Sequence, residues 1–223
     1  MRRRDFINLA GAGVIGTVFS RRVEGQSRVQ RPQVGVLAQR NELRCFNRVA
    51  THLADGAREG VRLNEAQAMG AAFVPGIEFT TGTLELDMRG RDVVQRSFVG
   101  VAFHGTDLTC DAVYFRPFNF RASDPVARSH AVQYQSAPAH SWQRLRSEQP
   151  GKFEHAVAPI PDPNDWFHAR IVVTMSTVTV FVAGAADPCL EVGLLNTRRQ
   201  GSVGLWVGNN SGGDFSNLVV SEA

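Results

Sequence analysis

The chain has 223 residues, 43% of them hydrophobic, enough for one domain with a sizeable core. Its net charge of +3 sits at the start: residues 1–25 hold five arginines and two acids, so the remainder carries 19 basic and 19 acidic residues. A neutral body without a basic stripe excludes nucleic acid as the expected partner.

In chain order, the opening "MRRRDFINLAGAGVIGTVFS" places an arginine cluster before a short, weakly apolar run. It resembles a twin-arginine export signal, so residues 1–25 are expected to direct the chain to the periplasm or the exterior. The apolar run is shorter than the roughly 20 residues that cross a bilayer, and no membrane span is expected in the mature chain. Residues 26–44 are polar and rich in arginine and glutamine, a linker or an edge segment. From 45 to 223, short alternating segments are separated by Gly, Pro, Asn and Asp. They include "TLELDMRG" (83–90), "SFVGVAFHG" (97–105), "AVYFR" (112–116), "HAVQYQS" (130–136), "FHARIVVT" (167–174), "VTVFVAG" (178–184), "SVGLWVG" (202–208) and "FSNLVV" (215–220). Such a series predicts an all-β fold, a sandwich or barrel. Only "SWQRLRSE" (141–148) reads as helix, inside a connection over 136–165 that is far longer than most. Cys45, Cys110 and Cys189 are odd in number and widely spaced, which argues against a disulfide framework and leaves one bridge or three free thiols open.

The two-residue period assigns faces. Leu84, Leu86 and Met88 oppose Glu85 and Asp87, while Val99, Val101 and Phe103 oppose Gly100, Ala102 and His104. Val203, Leu205 and Val207 oppose Gly204 and Trp206. One face of each strand is continuously apolar and the other is mixed, as in two sheets on a shared core with a groove outside one of them.

The ending "GSVGLWVGNNSGGDFSNLVV" resembles the last strands of concanavalin A-like (laminin-G-like) jelly rolls, through Gly201, Gly204, Leu205, Phe215, Asn217, Leu218 and Val220. "FTTGTLELDMRG" is similar to an early strand of that fold, and "DWFHARIVV" with "VTVFVAG" to its hairpin. The resemblance implies a two-sheet antiparallel jelly-roll β-sandwich over residues 45–223. Within the superfamily it lies nearest the 3-keto-disaccharide hydrolase-like domains. It implies a carbohydrate ligand and an activity as glycoside hydrolase or lyase on an oxidised sugar.

Candidate site residues follow from chemistry. Aromatic faces stack on the C–H faces of sugar rings, and planar polar groups bond their hydroxyls. Tyr114, Asn119, Arg121, His130, Gln133, Trp142 and Trp206 are expected to bind substrate. Glu85 and Asp87 join them, although their strand lacks the third acid of a retaining glycosidase, and a solvated face with both acids paired to arginines is the more ordinary explanation. For proton abstraction beside a ketone, His104 is the expected base, with Arg116 stabilising the developing oxyanion. A divalent metal such as calcium has one weak candidate loop, Asp162, Asn164 and Asp165. A non-catalytic lectin-like module and an envelope protein-binding sandwich remain the alternatives.

Overall fold

The computed structural model describes residues 28–223; the export signal expected over 1–25 lies outside the described residues. The chain opens with β1 (Arg28–Gln30), α1 (Val34–Gln39), β2 (Arg44–Phe46), β3 (Ala50–Asp55), β4 (Arg58–Ala66) and β5 (Gly70–Phe79). It continues through β6 (Gly82–Arg89), β7 (Val99–Gly105), β8 (Asp111–Phe115), α2 (Pro117–Phe120), α3 (Pro125–Ser129) and β9 (Val132–Ser136). The last part holds α4 (Trp142–Glu148), β10 (Glu154–His155), β11 (Phe167–Val173), β12 (Thr177–Val182), β13 (Leu190–Gly193), β14 (Gly201–Val207) and β15 (Ser211–Glu222).

These strands form two antiparallel sheets. The first runs β13-β12-β11-β6-β15-β4-β3, with β1 added along β15. The second runs β10-β9-β8-β7-β14-β5-β2. The apolar parity rows meet between them: Leu84, Leu86, Met88, Val99, Val101, Phe103, Ile171, Val178, Val180, Val203, Leu205 and Val207 are all fully buried in one core. The segment over 28–44 is built into the sandwich rather than hanging from it. Arg28–Gln30 pairs with Val220–Glu222, and α1 packs on β3, β4 and β15. The helix read at 141–148 appears as α4, its first turn closed by Ser141 Oγ accepting from the Arg144 N–H at 3.4 Å. Among the described residues, no helix is long and apolar enough to cross a membrane, and all three cysteines are unpaired.

One end of the sandwich is held by a single buried arginine. Arg48 donates to the carbonyls of Asn47, Ala66, Gln67, Ala68, Gly208 and Ser211 at 2.6–3.4 Å. Those oxygens belong to three turns, β2 to β3, β4 to β5 and β14 to β15, each of which carries the chain from one sheet to the other. Every guanidinium proton is thereby matched to a backbone acceptor, the condition for burying such a group. The clamp lies beside Phe46 and Met69 and two residues beyond Trp206, so it also sets one end of the site below.

A candidate binding face on the second sheet

The outward row of the second sheet crosses all seven strands in register. It reads Phe46, Ala71, Trp206, Gly100, Tyr114, Gln133 and Glu154, from β2 to β10. Gly100 lies between the two largest rings. A Cβ there would come within 2.2 Å of the Val113 carbonyl oxygen and 2.6 Å of Tyr114, so only glycine fits. Across it the Trp206 and Tyr114 rings meet at a centroid distance of 4.8 Å. Beside them, Gly204, Ala102 and Ala112 form a second, small-residue row ending at Phe73 on one side and Gln135 on the other.

This aromatic floor is more enclosed than the parity reading implied. Tyr114 is 1% and Trp206 3% exposed, packed in a second apolar cluster under the half-buried Phe46, Met69, Phe98 and Leu108. The rings are a foundation rather than an open surface.

At the β8–β10 edge the row turns polar. Arg116, 5% exposed, donates through Nη2 to Tyr114 Oη at 2.8 Å and to Gln133 Oε1, and through Nη1 to the His130 carbonyl at 2.6 Å. Asn119, on the short helix α2 that Pro117 opens, donates to the same carbonyl at 3.4 Å. Tyr114 Oη donates in turn to Gln133 Oε1 at 2.8 Å. Glu154, 3% exposed, lies 3.6 Å from Arg116 and 3.3 Å from His130 Nε2, and accepts both Nε and Nη2 of Arg146 at 2.9 and 2.6 Å. Arg146 stacks over the Trp142 ring at 5.1 Å, and that indole is 39% exposed. Contacts therefore run unbroken from an open tryptophan at the rim to a closed one at the centre.

The electrostatics of this edge follow from its burial. Burial lowers the Arg116 pKa and pushes the Tyr114 phenol up to about 12, so the phenol stays protonated. Burial also lowers the His130 pKa, against the pull of Glu154, leaving a neutral imidazole at neutral pH. Two buried donors here have no partner: Gln133 Nε2 and Trp206 Nε1. The Gln133 amide cannot be turned round, because Arg116 has only protons to offer and so fixes the oxygen on its own side.

Seven of the residues expected from sequence thus come together: Tyr114, Arg116, Asn119, His130, Gln133, Trp142 and Trp206. The others lie elsewhere. His104 does not share the outward row of Gly100 and Ala102, because its φ of +50° falls where β7 and β14 shift register at Ser202/Gly204, and the alternation breaks. It is fully buried against Phe79 and Phe103. Its Nδ1 lies 3.2 Å from Asp111 and its Nε2 2.8 Å from the Thr80 carbonyl, so neither nitrogen faces a ligand. Glu85 and Asp87 are on β6, on the outer face of the first sheet. Arg121 is exposed and pairs with Asp162 at 3.2 Å. Sequence reasoning missed Glu154 and Phe46, because a strand of two or three residues shows no alternation to read; only their chemistry within the register identifies them.

The oxygens of the loop proposed for calcium take part in turn and tertiary contacts. Asp162 accepts from the Asn164 N–H at 2.9 Å and from Arg121, Asn164 Oδ1 accepts from the Asp92 N–H at 2.8 Å, and Asp165 accepts from the Trp166 N–H at 2.7 Å. Among the described residues, no group of three or more His, Cys, Asp or Glu is placed to hold a metal.

Two antiparallel sheets with this order define a jelly-roll sandwich of the concanavalin A-like class, and solved structures share it. A Bacillus subtilis protein of unknown function with a galectin-like fold superposes with a TM-score of 0.56 at 12% identity, over 87% of this chain and 97% of that one. The carbohydrate-binding module CBM66 of B. subtilis superposes with a TM-score of 0.52 at 12% identity, over 78% and 92%. At that identity the likeness establishes the fold. No protein-family model and no curated protein sequence matches the chain.

Proposed function

We propose that this protein is a carbohydrate-binding sandwich that takes its ligand at the β8–β10 edge of the second sheet. The observation that carries this reading is the unbroken path from the exposed Trp142 to the buried polar group of Arg116, Glu154, His130 and Gln133. The indole offers an apolar face to a sugar ring, and the polar groups beside it are held in fixed geometry by the aromatic floor. The shared fold with a carbohydrate-binding module agrees with it, as does the export that residues 1–25 propose. The test is a glycan array followed by calorimetry on the chain without residues 1–27. Trp142→Ala is expected to weaken binding at least tenfold, about 1.4 kcal/mol. Unchanged affinity in that variant, or no glycan retained by the parent chain, would sink the reading.

One feature favours a second reading, cleavage of an oxidised 3-keto glycoside. His130 is partly exposed, neutral, and set between Glu154 and Arg116, the arrangement a proton-abstracting base beside an oxyanion donor requires. This moves the base from His104 to His130. On that reading a 3-keto glycoside releases its leaving group with the parent chain, and His130→Gln stops turnover while leaving affinity within about threefold. No release with the parent chain leaves binding as the whole function.

A further inference from the structure

We infer that His104 and Asp111 hold one buried proton between them, carried as a His104 imidazolium, and that this proton latches the β13–β14 connection across the end of the sandwich opposite Arg48. It stands apart from the carbohydrate-binding reading.

A proton count carries it. Both residues are fully buried. His104 Nε2 lies 2.8 Å from the Thr80 carbonyl oxygen and Nδ1 lies 3.2 Å from Asp111 Oδ2, both in hydrogen-bond geometry. Turning the ring over would set carbons against both acceptors, so the nitrogens stay where they are. A neutral imidazole has one N–H, whereas a carbonyl and a carboxylate each need one. With one proton fewer, two lone pairs would face each other out of reach of water, and a buried hydrogen bond would go unmade. The proton sits on the imidazole, because Asp111 Oδ1 already accepts from Tyr134 Oη at 3.0 Å and Asn196 Nδ2 at 2.6 Å. Those bonds favour the ionised carboxylate. Phe79 stacks on the imidazole at a centroid distance of 5.9 Å, and an aromatic face favours a cation.

The other titratable and charged groups beside the pair do not replace it. Burial, helped by the Asp111 charge, pushes the Tyr134 phenol up and the Cys110 thiol up to about 12, so both keep their protons. Arg198 is part-exposed and comes to 3.8 Å from Oδ1, the oxygen away from His104, and Asp107 is exposed and takes the Thr109 N–H.

The same group fastens residues 194–200, which carry the chain from the first sheet to the second. Asn196 donates to Asp111 and to Ser136 Oγ, the Leu195 N–H donates to Tyr134 Oη at 3.4 Å, and Arg198 Nη2 donates to Ser136 Oγ at 2.9 Å. A proton held in the folded chain at a pH where the unfolded chain has lost it is released on opening, so the latch weakens as pH rises.

The test is NMR of the full chain with isotope-labelled histidine at about pH 7.5, His104 being identified by its contacts to Phe79 and Phe103. Both of its ring nitrogens are expected to carry hydrogen. In Asp111→Asn the new amide can donate to Nδ1 while its oxygen keeps Tyr134 and Asn196, so one N–H is expected there. Between about pH 6.5 and 9, exchange of the Leu195 and Arg198 amides is expected to accelerate at least tenfold more in the parent than in that variant. A bare Nδ1 in the parent overturns the inference whether or not the variant folds. An equal pH response in the two chains overturns it as well. If Asp111→Asn does not fold, the same amides are compared with those around Arg48 within the parent, and equal acceleration at both ends overturns the latch.

Discussion

The outer faces of the two sheets turn similar residue types to different ends. On the first sheet, Asp214 accepts four hydrogen bonds from Arg62 and Arg89 at 2.7–3.0 Å, and Asp87 takes Arg58, His168 and Asn217. Trp166 lies between Arg58 and Arg89 at 4.7 and 4.8 Å and donates to Asp55. Three arginines there meet three aspartates, and His168 lies 3.4 Å from Glu85. Its arginines reach solvent, and each of its aspartates has cationic or polar partners. On the second sheet, Arg116 is buried beside the aromatic floor and shares a single glutamate with the part-exposed Arg146 of α4, and two buried donors have no partner. A charge-balanced, solvated lattice loses little when one partner goes, whereas an enclosed one that leans on a single carboxylate loses more.

That contrast is most easily broken where burial is deepest. Glu154→Gln leaves Arg116 and Arg146 without a counter-charge and is expected to lose about 3–5 kcal/mol by chemical denaturation. Trp206→Ala opens a cavity in the second apolar cluster and is expected to lose a similar amount, about 3–5 kcal/mol. Losses under about 1 kcal/mol in both would mean that the second face is as tolerant as the first, and the contrast would fall. On the first sheet the counterpart is Asp214→Asn. Its carboxylate is buried but its arginines reach solvent, so a smaller loss of about 1–3 kcal/mol is expected.

Most of the framework could be read from the sequence, because a two-residue period reports which side chains share a face wherever a strand is five residues or longer. Val113 and Phe115 fall in the core and Tyr114 and Arg116 on the outer face, as their parity requires. The exceptions are physical. His104 follows a break in alternation that leaves no mark in residue type. Glu85 and Asp87 face outward as read, but parity cannot say which of two sheets a strand joins. Glu154 reaches the site through a two-residue strand at the end of a long connection, and only the register opposite Gln133 places it. Sequence thus reached the side chains of the site one strand at a time, and their meeting depends on pairings up to many tens of residues apart.

The smallest expected effect sharpens the description of the first sheet. Burial acts to raise the Asp87 pKa, but hydrogen bonds from His168, Asn217 and Arg58 outweigh it and hold the carboxyl at about 2. The same bond, chiefly, raises the His168 pKa above its usual 6.5. A depressed carboxyl contributes stability that is present above its unfolded pKa near 3.8 and is lost as pH falls through about 2. A raised imidazole contributes stability that is present below 6.5 and is lost as pH rises through its folded value. Comparing the parent chain with Asp87→Asn across pH should therefore give a bell. The gap is expected to be largest between about pH 4 and 6.5, under about 1 kcal/mol because both groups are part-exposed. It closes toward pH 2 and narrows on the alkaline side to the share held by Arg58 and Asn217. A gap that is flat from pH 3 to pH 9 would show that His168 and Asp87 do not act as a pair, and that the first face is a set of separate surface charges rather than a linked lattice.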